Sequence, residues 1–379
     1  MERFHTRPLL IKTPVGAGFK PAHLIKIIVI GVSNPPDIIK KKMKKTAVVI
    51  LNYNGEKMLQ QFLPSVVKYT PEDLADVIVA DNASTDKSLE ILSSQFPGVK
   101  TVVFDKNYGF AGGYNLAISK IDYEYILLLN SDVEATEGYL EPLVEALDKD
   151  PDVVSVQPKL LAQKEKDKFE YAGAAGGFLD KYGYPFCRGR IFENIETDNH
   201  QYDNESDVLW TTGAAMLVRR KEYLENGGLD DRFFAHQEEI DLCWRLASRG
   251  YRLRCIPTST LYHVGGGTLD ASNPRKTFLN FRNNLCMIYK NAVDANKILF
   301  IRFFLDYMAA AVYLLKGETK NVKAVWKARR EFAKMKTELK KDRDENLRKT
   351  VCKPSGLVDF SIIVQTKLKG KKTYRDLIK

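Results

Sequence analysis

The chain reads Tyr125-Ile126-Leu127-Leu128-Leu129-Asn130-Ser131-Asp132 near its middle, an apolar run that ends in three polar residues. Two earlier runs have the same form: residues 47–51 lead into Asn52-Tyr53-Asn54-Gly55, and residues 77–80 lead into Asp81-Asn82. Continuous apolar runs of this length are typical of strands in a parallel sheet that helices cover on both faces. Helical patterns separate the three runs, at residues 56–69, 86–96 and 112–119. The sequence therefore predicts an α/β fold with a mostly parallel central sheet.

The three polar clusters all follow the carboxyl ends of predicted strands. Ligands of open α/β sheets bind beyond those ends, so we expect the clusters to lie together at one binding site. Asn and Asp also form good turns, which would explain a single cluster without any ligand. Three clusters in corresponding positions favour the binding interpretation.

The net charge of +10 is distributed unevenly along the 379 residues. Residues 1–45 carry ten Lys/Arg against two Asp/Glu, residues 316–350 carry thirteen against six, and residues 351–379 carry seven against two. The middle of the chain is acidic by difference, which argues against nucleic acid as a partner. Basic ends are typical either of segments that contact an anionic membrane surface, here the inner leaflet, or of solvated tails.

Three further features concern location and chain organisation. The five cysteines have no paired spacing, which predicts no disulfide framework and a cytoplasmic location. Residues 298–315 are apolar but contain Arg302 and Asp306, which favours a buried or interfacial helix over a membrane span. Residues 1–42 have no clear periodicity, so we expect Met43 to be the natural start and residues 1–42 to be a doubtful extension.

Asp132 is the first candidate for chemistry. A departing diphosphate accumulates negative charge, and a hard cation held by carboxylate oxygen would stabilise that charge. Asp81, at another strand end, is placed to accept hydrogen bonds from a base or a ribose, and Tyr53 offers a flat ring for stacking. The stretch Asn107-Tyr108-Gly109-Phe110-Ala111-Gly112-Gly113-Tyr114-Asn115 is a glycine-rich turn that enters a helix and suits close approach of the backbone to a ligand.

Eight motifs follow one another in order within residues 46–285. They are Val49-Ile50-Leu51-Asn52-Tyr53-Asn54, Asp81-Asn82-Ala83-Ser84-Thr85-Asp86, the stretch 107–115, Leu128-Leu129-Asn130-Ser131-Asp132, Thr212-Gly213-Ala214-Ala215-Met216, Gly227-Gly228-Leu229-Asp230-Asp231-Arg232-Phe233-Phe234, Glu238-Glu239-Ile240-Asp241-Leu242-Cys243-Trp244-Arg245 and Tyr262-His263-Val264-Gly265-Gly266. Through them this segment resembles the family 2 glycosyltransferases of the GT-A fold, close to the bacterial rhamnosyltransferase-like group. The resemblance implies that Asp81 binds the nucleoside and that Asp132 binds Mg²⁺ or Mn²⁺. Asn-Ser-Asp replaces the Asp-any-Asp of the family, so it supplies one carboxylate rather than two.

The resemblance also organises the chain into regions. Residues 43–290 would form the GT-A domain, with a nucleotide-binding half at 43–135 and an acceptor and base half at 136–290. Residues 291–379 would form a helical, basic C-terminal region able to associate with a membrane. The Gln-any-any-Arg-Trp signature of processive relatives is absent from the sequence, which favours a single addition over polymer synthesis.

The catalytic base is expected in the run Glu238-Glu239-Ile240-Asp241. Inverting transfer needs a carboxylate that takes a proton from the acceptor hydroxyl. Acidic residues also suit the first turn of a helix, which is the purely structural explanation. The resembled family usually has Glu-Asp here with the second residue as base, so we expect Glu239 to be the base and keep Glu238 as the rival. Asp241 is expected to be structural or a partner of Arg245.

Two further residues have two interpretations each. His263 precedes a glycine run and would either approach the metal, as the resemblance implies, or be a half-buried structural histidine. Arg282 would either bind diphosphate or an anionic acceptor, or form a structural salt bridge. With Asp132 and His263 as metal ligands, the residues expected to bind the nucleotide or substrate are Asn52, Tyr53, Asn54, Asp81, Asn82, Asn107, Gly109, Gly112, Asn115, Asn130, Asp132 and Arg282.

The sequence thus predicts an inverting, metal-dependent glycosyltransferase with a nucleotide-diphosphate sugar as donor. The acceptor would be a cell-surface polysaccharide or a lipid-linked glycan, and the enzyme would sit in the cytoplasm or peripherally on the inner face of the cell membrane. Rhamnose is the first choice of sugar by resemblance alone, and glucose, galactose and mannose stay open. The alternative is a catalytically degenerate scaffold that binds nucleotide sugar in a membrane glycan-assembly complex.

Overall fold

The computed structural model describes residues 44–265 and 273–378. The predicted extension at residues 1–42 and the expected start at Met43 lie outside the described residues. The strands are β1 (Thr46–Asn52), β2 (Ala75–Asp81), β3 (Lys100–Val103), β4 (Tyr125–Leu129), β5 (Val133–Glu134), β6 (Val153–Ala162), β7 (Gly177–Leu179), β8 (Pro185–Cys187), β9 (Arg190–Ile191), β10 (Asn194–Ile195), β11 (Ser206–Val208), β12 (Ala215–Arg219) and β13 (Arg252–His263). The three apolar runs are therefore strands β1, β2 and β4, as predicted.

A mixed sheet of nine strands forms the centre of the described part of the chain, in the order β11-β13-β6-β12-β4-β1-β2-β3 with β5 paired to β13. Strand β1 pairs in parallel with β2 and β4, so Asn52 lies opposite Asp81 and Ile50 lies opposite Leu129. Strand β12 runs antiparallel between β4 and β6. The register brings the polar clusters after β1, β2 and β4 to the same edge of the sheet.

Helices cover both faces of this sheet. The helices of the described residues are α1 (Glu56–Tyr69), α2 (Ser88–Gln95), α3 (Gly109–Ser119), α4 (Glu141–Lys149), α5 (Arg220–Glu225), α6 (Glu238–Ser248), α7 (Pro274–Asn291), α8 (Ala295–Leu315), α9 (Thr319–Lys349) and α10 (Tyr374–Ile378), of which α8 and α9 pack on α7 and on each other. Alternate residues of β1 enter two separate cores: Val49 packs in the core that contains Tyr114 of α3, and Val48 packs in the core that contains Leu63 of α1. This alternation is what a sheet buried on both faces requires, because successive side chains of a strand point to opposite sides.

Residues 177–195 add a second, antiparallel sheet of four short strands in the order β10-β9-β8-β7. The C-terminal segment is bonded to this half: Leu179 N donates to Gly356 O, and Val358 N donates to Leu179 O at 2.9 Å. The buried carboxylate of Asp180 accepts a hydrogen bond from Ile362 N at 2.9 Å. The end of the chain is therefore part of the folded body.

Helix α7 is joined to α6 by a buried ionic cluster. The ammonium of Lys290 lies 2.6 Å from Asp230 and 2.7 Å from Asp241, and Asp241 also accepts from Arg245 at 3.1 Å. Asp241 is thus structural and partners Arg245, as expected. Because each charge in the cluster is paired, removal of one member would leave a buried charge uncompensated.

Candidate active site

The ends of β1 and β2 are tied to each other by Asn52 and Asp81. Asn52 Nδ2 donates to Asp81 Oδ2 at 2.9 Å and to the hydroxyl of Ser84 at 3.1 Å, and Asp81 Oδ1 accepts from Ser84 N at 2.8 Å. Both side chains are fully buried. In this structure the expected nucleoside-binding carboxylate holds the two loops together, while Asn52 Oδ1 is buried without a hydrogen-bond partner.

A second pair of hydrogen bonds holds the loop after β1. Asn54 Oδ1 accepts from Thr85 N at 2.7 Å, and Asn54 N donates to Ser84 Oγ at 2.9 Å. Tyr53 leaves this framework and is 51% exposed, so its ring is open to a stacking partner. The structure therefore places Asn54 in a supporting position and Tyr53 at an accessible rim.

The predicted glycine-rich turn is held to β2 by two asparagines. Asn82 Nδ2 donates to Asn107 Oδ1 and to Gly109 O, each at 3.0 Å, and Asn107 Oδ1 also accepts from Gly109 N at 2.8 Å. Gly109 has φ +72°, a conformation that glycine adopts without strain. These residues set where α3 begins.

Gly112 and Asn115 lie further along α3 and face the protein. A Cβ on Gly112 would stand 3.3 Å from Tyr108 Cβ. Asn115 Nδ2 donates to Leu229 O at 2.7 Å, and its Oδ1 accepts from the Tyr223 hydroxyl at 2.6 Å and from Leu229 N at 3.0 Å. Since the amide of Asn115 is bonded to the protein, its predicted contact with the nucleotide has no geometric support here.

Asp132 and His263 meet beyond β4 and β13. Asp132 Oδ1 lies 3.1 Å from His263 Nε2, and Asn130 Nδ2 lies 3.4 Å from the same nitrogen. On the other side of the imidazole, His263 Nδ1 lies 3.2 Å from Glu170 Oε1. His263 and Glu170 are buried, and Asp132 is partly exposed. Glu170 was not predicted from the sequence, because it lies 93 residues from His263 and belongs to none of the motifs.

The two carboxylates control the charge of His263. Burial by itself would lower the pKa of this imidazole, but Glu170 and Asp132 raise it to about 10. Burial would raise the pKa of Asp132, and the bond with His263 holds it below its usual value. The imidazole is therefore protonated at neutral pH and provides the positive charge that faces Asp132.

Asp132 and His263 together fit a cation that the substrate also helps to bind. Within the described ranges, no group of three or more His, Cys, Asp or Glu side chains has the geometry of a metal site. Asp132 offers carboxylate oxygen and His263, once neutral, offers Nε2. Mg²⁺ typically takes one or two carboxylates together with substrate phosphates and water, so two protein ligands match that chemistry. Glu170 is placed to orient the second nitrogen of the histidine.

The strained segment that precedes α6 carries the candidate base. Phe234, His236 and Gln237 have φ values of 66°, 72° and 71°. Non-glycine residues in this conformation are uncommon and are costly enough to be concentrated at functional sites. The neighbouring α7 holds the segment: Asn283 Nδ2 donates to the carbonyl oxygens of Phe233 at 2.9 Å and of His236 at 2.8 Å.

Arg282 also helps to hold the segment that precedes α6. Its Nη2 donates to the carbonyl oxygens of Arg232 at 2.9 Å and Phe233 at 3.0 Å, and its Nε donates to Asn283 at 2.9 Å. These bonds use Nε and Nη2 of the guanidinium, and the expected contact of Arg282 with diphosphate or an anionic acceptor stays a prediction. Arg282 positions the loop that leads to the candidate base.

Glu238 and Glu239 follow this segment with different exposure. Glu238 is buried and Glu239 is partly exposed, and Oε2 of each is buried without a hydrogen-bond partner. Burial raises the pKa of Glu239 to about 7, and burial together with the charge of Glu239 raises the pKa of Glu238 well above its usual value. A partly accessible carboxyl with a pKa near 7 suits proton transfer at neutral pH.

Glu239 is connected in space to the Asp132 side of the site. A Cβ on Gly213 would stand 3.7 Å from Glu239 Cβ, and the next residue, Ala214, accepts a hydrogen bond from Asn130 N at 3.0 Å. The motif around Gly213 therefore lies between the candidate base and the strand end that leads to Asp132. His236, which the sequence did not single out, also faces this region: burial and the charge of Lys276 lower its pKa to about 4, and its Nε2 is buried without a partner.

Comparison with known sequences identifies relatives of this chain. Residues 47–222 match glycosyl transferase family 2. The N-acetylglucosaminyl-diphospho-decaprenol L-rhamnosyltransferase of Mycobacterium tuberculosis is 25% identical over 234 residues, which are 57% of this chain and 75% of the relative. Rhamnosyltransferase WbbL of Escherichia coli is 24% identical over 223 residues, which are 57% of this chain and 82% of the relative.

Two solved structures share the fold. GalNAc-T7 with UDP, GalNAc and Mn²⁺ has a TM-score of 0.52 at 16% identity, over 67% of this chain and 49% of that chain. S. aureus TarS 1-349 in complex with UDP-GlcNAc has a TM-score of 0.50 at 14% identity, over 80% of this chain and 89% of that chain. The GT-A fold predicted from the sequence is thereby confirmed.

Proposed function

We propose that this glycosyltransferase moves one sugar from a nucleotide-diphosphate donor in an inverting and metal-dependent transfer. The premise is that residues 47–222 are its family 2 domain. The acceptor is a cell-surface polysaccharide or a lipid-linked glycan. The observation that carries the proposal is the pairing of Asp132 with His263, to which Glu239 is connected through the neighbouring residues Gly213 and Ala214. The first two offer cation ligands, and the third is a partly exposed carboxyl whose pKa is about 7.

The transfer is a direct displacement. Glu239 takes the proton of the acceptor hydroxyl, and the oxygen forms its bond to the anomeric carbon from the face opposite the donor phosphate. The bond between the anomeric carbon and the phosphate oxygen breaks, and its electron pair leaves with the nucleoside diphosphate. Asp132 and neutral His263 would hold Mg²⁺ or Mn²⁺, which when bound neutralises charge on the leaving diphosphate.

Donor binding is assigned to the edge of the sheet beyond β1 and β2. Tyr53 stacks on the base, and Asn52 Oδ1 and the remaining lone pairs of Asp81 accept hydrogen bonds from the nucleoside. Asn54, Asn82, Asn107 and Gly109 hold the loops that shape this surface. The support is geometric: Tyr53 is 51% exposed, and Asn52 Oδ1 has no partner in the protein.

Rhamnose carried by a dTDP donor is the proposed sugar. The support is that two relatives are named rhamnosyltransferases. One of those names specifies N-acetylglucosaminyl-diphospho-decaprenol, a lipid-linked glycan. An acceptor of that class would place this enzyme on the inner face of the cell membrane, which is the location we propose.

Calorimetric titration with a panel of nucleotide sugars tests the reaction class. Wild type and Asp132→Ala are titrated with dTDP-rhamnose and with glucose, galactose and mannose donors, each with Mn²⁺, with Mg²⁺ and with EDTA. We expect one donor to bind wild type only when metal is present, and Asp132→Ala to lose that binding. Asp122→Ala, which changes an exposed carboxylate on the loop before β4, is the matched control and should bind as wild type does.

A positive donor is then used in a transfer assay with product stereochemistry read by NMR. Inversion at the anomeric carbon supports direct displacement. Retention of configuration, or metal-independent binding that Asp132→Ala preserves, contradicts the proposal. Folded wild type that binds none of these donors, nor any nucleoside diphosphate, would favour a non-catalytic scaffold.

A further inference from the structure

Two charged residues in the middle of helix α8, Arg302 and Asp306, face the inside of the protein. Arg302 is 2% exposed and Asp306 is fully buried. Arg302 Nε donates to Asp306 Oδ1 at 3.0 Å, and Arg302 Nη1 donates to Tyr182 O at 3.1 Å. Arg329 of α9 lies 2.5 Å from Asp306 Oδ2. The two charges that interrupt this apolar helix in the sequence thus attach it to the body of the protein.

The opposite side of α8 is apolar and exposed. This outer face, as we call it, comprises Phe300, Phe303, Phe304, Met308, Val312 and Leu315, of which Phe300 is 67%, Met308 62% and Leu315 88% exposed. Between residues 300 and 315 the only charged residues are the two buried ones. The helix is long and apolar enough to cross a membrane by length and composition alone, and 22% of its most apolar window is buried. An exposed apolar patch of this kind marks a contact with a partner or a membrane.

Exposed basic residues lie at the ends of α8 and along the helix packed beside it. Lys297 and Lys316 are exposed at the two ends of α8. Helix α9 packs beside α8, with the Arg329 guanidinium 5.1 Å from the Phe303 ring, and Lys323, Lys327 and Lys334 of α9 are exposed. An apolar helix face combined with exposed lysines is typical of interfacial helices that bind anionic lipid.

We propose that the outer face of α8 inserts in the plane of an anionic lipid bilayer while the lysines of α9 contact the headgroups. A spanning orientation would carry the charged helix α9, which packs along α7 and α8, towards the hydrocarbon. A dimer through the same face would bring two sets of lysines together, and that repulsion disfavours self-association. Neither objection applies to a negatively charged membrane surface.

The proposed membrane surface lies on the side of the acceptor half. Arg302 Nη1 donates to Tyr182 O at 3.1 Å, and the Arg302 guanidinium lies 4.0 Å from the centre of the Tyr184 ring. The inner side of α8 therefore packs on the loop between β7 and β8. A lipid-linked acceptor held in the bilayer would start on this side of the protein. This last point rests on the proposed function, whereas membrane binding itself does not.

Vesicle flotation of the full chain tests the proposal. A C-terminal truncation is unsuitable, because Lys290 lies in the buried ionic cluster and Arg343 of α9 donates to the carbonyl oxygen of Ala292 at 2.7 Å. Full-length wild type should float with phosphatidylcholine vesicles that contain phosphatidylglycerol and should bind pure phosphatidylcholine more weakly. The triple variant Phe300→Gln/Phe304→Gln/Met308→Gln should lose about tenfold or more of this binding, since it removes most of the inserted apolar area.

Matched variants test whether vesicle binding depends on the outer face of α8 or on exposed apolar residues in general. Val67→Gln/Leu224→Gln removes two apolar side chains that are 41% and 39% exposed on other helices, and it should bind vesicles as wild type does. Lys323→Gln/Lys327→Gln/Lys334→Gln should weaken binding to the anionic vesicles by about fivefold per charge and reduce its dependence on salt. Donor binding measured by calorimetry should be unchanged in all of these variants, so failure of the membrane proposal is distinguishable from failure of the proposed reaction.

Tryptophan fluorescence gives an independent readout. Of the three tryptophans, Trp210 and Trp244 are buried and Trp326 of α9 is 50% exposed. Vesicle binding should shift the emission of wild type to the blue, and Trp326→Phe should abolish the shift. The proposal is overturned if wild type does not float, if the α8 triple variant binds as wild type does, if alkaline carbonate fails to release the bound protein, or if the triple variant only converts a dimer to a monomer.

Discussion

The two sides of the candidate site differ in how their polar atoms are satisfied. On the side of β1 and β2, Asn82 and Asn115 are bonded to the protein and Asp81 accepts from both Asn52 and Ser84, with Asn52 Oδ1 as the exception. On the side of β4 and α6, Glu238, Glu239 and His236 each keep a buried atom without a partner. We call these the bonded side and the open side.

The difference separates support from chemistry. Buried polar groups are nearly always hydrogen-bonded, so an unpaired one indicates a position held for a ligand or a proton transfer. The bonded side fixes the loops that receive a donor. The open side retains carboxyl groups whose raised pKa values result from burial without a counter-charge. Changes on the open side should therefore alter rate and metal binding, and changes on the bonded side should alter stability.

The largest expected effect is on the open side, at the candidate base. Glu239→Gln should lower kcat by about 10²–10⁴-fold, because the amide cannot take the proton of the acceptor, while donor affinity stays unchanged. Single-turnover rates with saturating donor and donor titrations by calorimetry measure the two quantities. Glu238→Gln is the matched control and should have a smaller effect on kcat. If Glu238→Gln abolishes transfer and Glu239→Gln does not, the base is Glu238.

The next effect concerns Glu170, which acts through His263. Glu170→Gln should weaken the metal dependence of donor binding by about 10–100-fold, as is typical when the hydrogen-bond partner of a ligating histidine is removed. Mn²⁺ titrations followed by calorimetry or electron paramagnetic resonance give this affinity without an activity assay. Glu165→Gln, in an exposed ion pair with Lys168, should leave it unchanged. Equal Mn²⁺ affinity in Glu170→Gln and wild type would remove Glu170 from the site.

The pH dependence should follow Glu239. Its carboxyl is neutral below a pKa of about 7 and cannot accept a proton there, so kcat/KM should fall about tenfold per pH unit as the pH drops below 7. The linked effect on stability has the opposite sign: a raised carboxyl pKa stabilises the fold at low pH, and that stabilisation is lost as pH rises from about 4.5 to about 7. Rate profiles and thermal melts across this window measure both. Glu239→Gln should reduce the change of melting temperature with pH across this window. An unchanged pH dependence would assign that change to other groups.

The smallest functional effect is expected on the bonded side. Asn115→Ala removes three hydrogen bonds to Tyr223 and Leu229 and should lower the free energy of unfolding by about 1–3 kcal/mol, with donor affinity retained. Urea denaturation measures the change, and Asn199→Ala on the exposed loop before β11 is its control. Loss of donor binding from a protein of normal stability would instead support the direct nucleotide contact expected from the sequence.

Local pattern was enough to predict three strands of the central sheet and the edge at which their polar clusters meet. Strands β1, β2 and β4 and helix α1 occur where the apolar runs and helical periodicity place them. Helix α3 begins three residues earlier than predicted, at Gly109, because the hydrogen bonds of Asn82 and Asn107 fix its first turn. The bond from Asn82 joins residues 27 apart in the chain and leaves no periodic signal.

The site was predicted less completely than the fold. Asp132 and His263 lie side by side, and their role as metal ligands stays a prediction, as does the choice of Glu239, whose greater exposure favours it over Glu238. For Arg282 the structure adds a partner that the motif did not indicate, since its guanidinium is bonded to the carbonyl oxygens of Arg232 and Phe233. A charged residue within a motif does not reveal whether its partner is a ligand or the backbone of a loop that folds against it.

The sequence by itself determined the α/β architecture, the family resemblance and the identities of the carboxylates, because strand formation and residue chemistry are local properties. Only the tertiary structure decided that Glu170 lies beside His263, that Arg282 supports a strained loop, and that Arg302 and Asp306 face inward while Phe300 and Met308 face outward on α8. The physical reason is that the pKa of a group and the pairing of its charge depend on its burial and on its neighbours. The fold brings those neighbours together from distant parts of the chain.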